Sequence, residues 1–438
     1  MNLFGTSGIR GPVGETVTAD LALSVGRALG VNCADVVVGR DPRASGQFLQ
    51  SALVAGLRES GTDVIDVGVA ATPTVARAVG WRDADAGVAI TASHNPPEDN
   101  GLKLWQPSGQ AFDSEGRERI EAHIAEDAFE PAAWDESGSL ETWDARTRHA
   151  DAIRAELDCE SMDSRVVVDV GNGAGGVTVD VLTALGSHVE TLNAQPDGAF
   201  PGRPSEPTAE NCVSLSTLVA ETDADIGIAH DGDADRMRAV AGDGTYLTGD
   251  VTLALFARAA AEPGQRVAVP VDTSLAVADY LAKIDVGVEY TPVGDVYVAE
   301  AAEAPDVAFG GEPSGAWIWP AHTLCPDGPL AACTIAALDA DRPLADRIDE
   351  VPTYPIRRDS VEVENKAAVM DRVRERVLAD YDDVTTLDGV RVDLGDAWFL
   401  LRASGTQPLV RVTAEAREEA RADEVLATAR DCLSGARK

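Results

Sequence analysis

Four short polar stretches of this 438-residue chain concentrate side chains able to do chemistry. The first is Thr91-Ala92-Ser93-His94-Asn95-Pro96-Pro97, with Lys103 ten residues past the serine. Ser, Asn and Pro are common turn formers, and for the heptad alone a surface turn is the plainer explanation. A serine beside a histidine and a lysine also suits a nucleophile or phosphate carrier. Lys103 favours that reading, because the chain has only four lysines, Lys103, Lys283, Lys366 and Lys438. An amine exchanges a proton when its pKa is lowered; a guanidinium hardly does. The second stretch is Asp231-Gly232-Asp233-Ala234-Asp235-Arg236. Three carboxylates at alternate positions can converge on a hard cation such as Mg²⁺ or Ca²⁺. An EF-hand needs Gly at loop position six and Glu at twelve, where Arg236 and Gly242 stand, so that loop is excluded. A solvated acidic turn is the competing explanation for the triplet alone. The apolar strand leading in and Arg236 closing it favour a metal.

The third stretch, Gly310-Gly311-Glu312-Pro313-Ser314-Gly315, offers Glu312 and Ser314 to sugar hydroxyls, with glycines permitting close approach. The fourth, Arg402-Ala403-Ser404-Gly405-Thr406-Gln407-Pro408, pairs a bidentate phosphate grip with a nest of hydroxyl and backbone N–H donors. Taken singly, each is equally a plain loop. Gly5-Thr6-Ser7-Gly8-Ile9-Arg10-Gly11 reads as a flexible terminus or a phosphate-facing loop, too polar and glycine-rich for a core strand. A competing signal is Gly171-Asn172-Gly173-Ala174-Gly175-Gly176, a G-x-G-x-x-G after a strand pattern, with Glu190 at a suitable distance. That spacing suits a dinucleotide and an NAD-dependent oxidoreductase, but leaves the other loops unexplained.

Three segments with one plan position these loops. Their first strands are Val36-Val37-Val38, Val166-Val167-Val168 and Val267-Ala268-Val269. Each is followed by a turn-rich loop, a helical pattern and a second strand, near Val64, His188 and Val286. Third strands near Val88, Ile226 and Val307 lead into the chemistry-bearing loops. Alternating strands and helices predict mixed α/β layers, with sheets covered on both faces. Beyond Arg357 the pattern changes to a hairpin over Val390–Leu401, a strand at Leu409–Thr413 and a helix over Glu418–Ala429, a small α+β domain. The expected domains are 1–149, 150–250, 251–352 and 353–438, with 126–147 as an acidic boundary region.

The net charge is −38, with 74 acidic residues against 36 Lys and Arg. Such a surface repels nucleic acid and anionic lipid. Acidic and lysine-poor, it resembles proteins of salt-loving organisms, where 1 M salt shortens screening to about 3 Å. The six scattered cysteines include no C-x-x-C pair, which points to free thiols in a reducing cytosol. No apolar run approaches a membrane span. A distinctive Gly/Ser segment begins at Gly5, so no signal peptide is expected ahead of the fold and a cytoplasmic protein is expected.

The four chemistry-bearing loops together, in order and spacing, resemble the α-D-phosphohexomutase superfamily over nearly the whole chain. The resemblance implies four domains around a central cleft, three mixed α/β and one α+β. It implies that Ser93 carries a phosphoryl group, and that Asp231, Asp233 and Asp235 bind one Mg²⁺ together with the Ser93 phosphate. Arg10 and Lys103 are expected near the reacting groups, Lys103 as general acid/base, with His94 assisting the serine. Arg236, Glu312 and Ser314 are expected on the sugar phosphate, and Arg402, Ser404, Gly405 and Thr406 on the non-transferring phosphate. The glycine-rich loop at Gly171 also occurs in the family, removing the need for NAD. A hexose 6-phosphate and its 1-phosphate are interconverted through a bisphosphate that turns over, with a sugar 1,6-bisphosphate as priming activator. A closing fourth domain is expected to exclude water. The enzyme is expected as a monomer or homodimer. Gln407 stands where many members have Glu, and Ala316 where some have His, which shifts weight onto Lys103. Val293-Gly294-Asp295 is similar to phosphoglucosamine mutases, with phosphomannomutase or phosphoglucomutase activity as the alternative.

Overall fold

The computed structural model describes residues 3–5, 8–157, 159–404 and 408–436. It forms two compact units, residues 1–252 with 313–348, and residues 253–312 with 349–438.

The first unit holds two sheets built on one plan. In each, the first strand lies between the second and third, all parallel. For the first sheet these are Asp35–Arg40, flanked by Asp63–Val69 and Ala86–Ile90. For the second they are Arg165–Asp169, flanked by His188–Leu192 and Ile226–His230. In both, an antiparallel strand follows the third, Asp99–Trp105 in one and Met237–Ala241 in the other. Val36, Val37 and Val38 are fully buried, as are Ile226 and Ile228. Continuous apolar strands of this kind require cover on both faces. The Ser93 and Asp231 loops therefore leave equivalent strand ends, which is where open α/β sheets place ligands.

Two local expectations change, and two helices bear on the domain limits. Ile9–Pro12 is an edge strand antiparallel to Asp99–Trp105, not a free loop, and Ile9 is core. Glycine serves the strand here: a Cβ on Gly101 would lie 2.2 Å from the Ile9 carbonyl oxygen. The acidic boundary region contributes Leu140–Thr142, a further edge strand pairing with Asp63–Val69. Helices Ala145–Glu156 and Gly249–Ala260 run straight through the expected limits at 149/150 and 250/251. Asp144 caps the first of them by accepting from Thr147 N, so that helix begins several residues early.

The second unit repeats the plan once. Arg266–Pro270 lies between Gly287–Thr291 and Val307–Glu312, all parallel. It then adds a five-stranded antiparallel sheet, ordered Ile356–Glu362, Leu409–Ala416, Ala397–Ala403, Val390–Asp393, Val384–Thr385. Helices Lys366–Asp380 and Glu419–Ala436 cover one face of it, burying Val373, Val377, Phe399, Leu401, Val410 and Val412. The two layers are locked by Glu415, fully buried, which accepts from Ser274 Oγ, Leu275 N and Trp398 Nε1. No disulfide forms among the described residues.

Candidate active site

Ser93 stands just past the end of Ala86–Ile90 in the left-handed region, φ +51°, and is buried. Its hydroxyl donates to Asp231 Oδ2 at 2.7 Å and lies 3.5 Å from Asp235 Oδ1 and 3.4 Å from His94 Nδ1. Ser93 and the acidic turn, 138 residues apart in sequence, therefore share one pocket.

Asp231, Asp233 and Asp235 are buried, with a carboxylate oxygen from each within 4.8 Å of the others. Asp233 Oδ2 accepts from Thr72 Oγ1 at 2.5 Å and from Lys103 Nζ at 2.8 Å. Its other oxygen is buried without a hydrogen-bond partner among the described residues. A buried carboxylate oxygen with no partner is costly unless a ligand meets it. Three convergent oxygens, one of them vacant, fit a hard divalent cation.

Lys103 also bridges to Asp235. Burial alone would lower its pKa, but Asp233 and Asp235 override that and hold the amine above its usual value. Lys103 is thus an ammonium ion here, and the lowered pKa expected of a proton-exchanging lysine is not what the fold provides. Burial raises Asp231 well above the ordinary carboxylate range, with Asp235 and Asp233 adding to it. Burial would raise Asp233 too, yet Lys103 and Thr72 bring it below that range. His94 is pushed down to about 3, first by burial, then by Arg236, Arg10 and Lys103, so its ring is neutral. Arg10 sits on the edge strand with a buried Nε that has no partner among the described residues, and the Arg236 amide donates to Asp231 Oδ1 at 3.2 Å.

The glycine-rich loop has another use than a nucleotide. A Cβ on Gly173 would fall 2.7 Å from Gly232 O, and one on Gly171 would fall 2.6 Å from the Arg203 guanidinium. Ala174 N donates to Gly232 O at 3.0 Å. These glycines let the acidic turn and Arg203 pack against the loop.

The remaining expected residues divide between the units. Ser314, in the first, has a buried Oγ with no partner among the described residues. Ala316 bridges to Arg236 and is buried, so this position adds no proton carrier. In the second unit, Glu312 ends its strand half-buried, and Arg402 Nη1 donates to Asp388 Oδ2 at 3.0 Å. Ser404 O accepts from Lys366 Nζ at 2.5 Å. Gly405 and Thr406 lie outside the described residues.

Two groups escaped the sequence reading. One is the scaffold beneath Ser93, namely Asp41, Arg43, Thr72 and Ser205. The other joins the expected Arg402 in lining a cavity of about 410 Å³ on the sheet face away from the helices, with Asp272, Arg358, Ser360, Arg411 and Thr413. Arg402 and Arg411 are directly paired across adjacent strands. Like charges placed opposite one another repel, and this chain is otherwise strongly acidic, so their convergence marks an anion site.

Both fold and site belong to one class. Domains I, II and III of the phosphoglucomutase/phosphomannomutase alpha/beta/alpha series match residues 1–131, 147–244 and 248–354. The C-terminal domain of the same family matches 360–431. The chain belongs to the phosphoglucomutase/phosphomannomutase family. Among its relatives, a probable phosphoglucosamine mutase of Methanococcoides burtonii is 47% identical over 424 residues, 96% of each chain. One of Methanopyrus kandleri is 45% identical over 450 residues, 99% of each. A phosphoglucomutase/phosphomannomutase family protein from Burkholderia thailandensis superposes at TM-score 0.89 with 29% identity, over 99% of this chain and 97% of that one. The N-acetylphosphoglucosamine mutase of Aspergillus fumigatus, solved with GlcNAc-6P and magnesium, shares the fold at TM-score 0.61 and 15% identity, over 100% of this chain and 96% of that one.

Proposed function

We propose that this enzyme interconverts glucosamine 6-phosphate and glucosamine 1-phosphate through phosphoserine at Ser93 and a sugar bisphosphate intermediate. It is then an isomerase of the intramolecular phosphotransferase kind. The observation that carries the chemistry is the Ser93 hydroxyl seated 2.7 Å from Asp231 within a buried carboxylate triplet. The choice of sugar is supported by the archaeal relatives described as phosphoglucosamine mutases.

Asp231, Asp233 and Asp235, with a phosphoserine oxygen, hold one Mg²⁺ per chain. When bound, the ion supplies positive charge against the phosphoryl group in transfer. Lys103 and Arg10 add cationic charge beside the same group, and a phosphoryl group or Mg²⁺ that draws Asp233 and Asp235 away from Lys103 frees its ammonium to act as general acid. Neutral His94 orients the serine. Arg236, Glu312 and Ser314 hold the sugar. Arg402, Ser404, Gly405 and Thr406 hold the phosphate that stays, and Arg411 joins them from the facing strand. The intermediate must turn over between the two half-reactions, and a sugar 1,6-bisphosphate primes the serine. The acidic surface suits a salt-rich cytoplasm, with the enzyme a monomer or homodimer. We place the domain limits near 149, 250 and 352.

Phosphomannomutase or phosphoglucomutase activity is the second reading, favoured by the family's own breadth. The test is kcat/KM on glucosamine-, glucose- and mannose-phosphates in high KCl. Glucosamine phosphate is expected to lead; a tenfold lead for glucose or mannose phosphate would overturn the choice of sugar.

A further inference from the structure

The Ser93 side chain accounts for the proposed chemistry, but its backbone is held by groups that chemistry does not use. Arg43 is buried beneath the loop, and all five of its guanidinium N–H groups are engaged. Nε donates to Asp41 Oδ2 at 2.9 Å. Nη1 donates to Pro96 O at 2.5 Å and Asp99 O at 2.9 Å. Nη2 donates to Ser93 O at 2.9 Å and Asn95 O at 2.7 Å. Four of the five acceptors are backbone carbonyls, three in the serine loop itself and one, Asp99, at the start of the strand that follows it.

The amide side of the same residue returns to the same pair. Ser93 N donates to Thr91 Oγ1 at 2.8 Å, and that hydroxyl donates to Asp41 Oδ2 at 2.7 Å. Both the N–H and the C=O of Ser93 thus trace to the Asp41–Arg43 ion pair. A second prong comes from the other sheet of the unit. Ser205 Oγ donates to Ser93 O at 2.8 Å and accepts from Gly232 N, in the acidic turn, at 3.0 Å. A Cβ on Gly232 would lie 2.9 Å from Ser93 O and 2.7 Å from Ser205 Oγ, so serine loop and acidic turn meet with no slack at this carbonyl.

We propose that Arg43 and Ser205 are positioning residues for phosphoryl transfer. Together they clamp the Ser93 carbonyl, hold the nucleophile in its left-handed backbone conformation and fix its register against the acidic turn. The proposal rests on Ser93 being the phosphoryl carrier. Serine rarely adopts φ near +50° without help, since only glycine does so freely. Transfer to and from its oxygen depends on alignment within a fraction of an ångström. Lysine cannot substitute, because it lacks the planar fork and two of the five donors.

The test is single-turnover phosphorylation of Ser93 by a hexose 1,6-bisphosphate, read by quenching and intact mass, beside kcat, KM and melting temperature. Ser205→Ala is expected to slow phosphorylation and kcat about tenfold, and Arg43→Lys about 100-fold, with KM within about twofold. A purely scaffolding role would lower melting temperature while folded molecules phosphorylated at the wild-type rate, and that result would overturn the proposal. Should Arg43→Lys fail to fold, Ser205→Ala decides by the same criterion. If wild-type enzyme takes up no phosphoryl group at all, the carrier reading fails instead, and the clamp with it.

Discussion

On the proposed function, Ser93 marks a reacting end and Arg402 a gripping end, and the two surroundings are built by opposite means. Around Ser93 the polar groups are buried and cross-bonded: Lys103 to two aspartates, Asp233 to Thr72, Arg43 to four carbonyls. Around Arg402, on the sheet face away from the helices, Asp388 holds the arginine and a cavity opens beside it. The first arrangement gives fixed geometry for making and breaking a P–O bond. The second gives charge without tight enclosure, which suits a phosphate that must be released and exchanged when the intermediate turns over. Preorganisation is concentrated where bonds change; the other end supplies affinity.

If that contrast holds, mutations at the two ends separate in kinetics. Ser93→Ala has the largest effect, with kcat falling at least about 10⁴-fold while the melting temperature barely moves, because the nucleophile is lost and little packing with it. Asp233→Asn follows. It removes a ligand oxygen and a Lys103 partner, so Mg²⁺ binding measured by calorimetry weakens about 10- to 100-fold and kcat falls with it. Chelation of wild-type enzyme by EDTA should abolish turnover, and added Mg²⁺ restore it. At the gripping end, Arg402→Ala or Arg411→Ala raises KM about tenfold with kcat changed severalfold at most. A large fall in kcat without a change in KM would break the contrast. Asp388→Asn is the mildest, raising KM about two- to threefold, since Arg402 keeps its charge and loses one charged anchor. Inhibition constants for inorganic phosphate provide a second measure of that end.

The sequence is informative where structure is local and obscure where it is not. The valine runs and the loops after them are legible because a strand covered on both faces must be apolar and must end in polar turn residues. The carboxylate triplet is legible because alternate acids after such a strand have few other uses. Ile9–Pro12 is not, since its pairing depends on Gly101, far along the chain, which admits the Ile9 carbonyl. Arg43 leaves no local trace either, because its acceptors are main-chain carbonyls and any sequence supplies those. The raised pKa of Lys103 was hidden for a related reason: burial pulls it one way and two aspartates, 130 and 132 residues on, pull it the other. Helix starts at Ala145 and Gly249 precede the expected domain limits because capping, not composition, fixes where these helices begin.

The account depends on Ser93 accepting and giving up a phosphoryl group, and intact-mass measurement after incubation with a hexose 1,6-bisphosphate and Mg²⁺ tests this directly. Wild-type protein should gain the mass of one phosphoryl group, placed on Ser93 by fragmentation and lost again on addition of sugar monophosphate, while Ser93→Ala gains none. Uptake by the alanine variant, or a wild-type label that sugar monophosphate cannot discharge, would contradict the account.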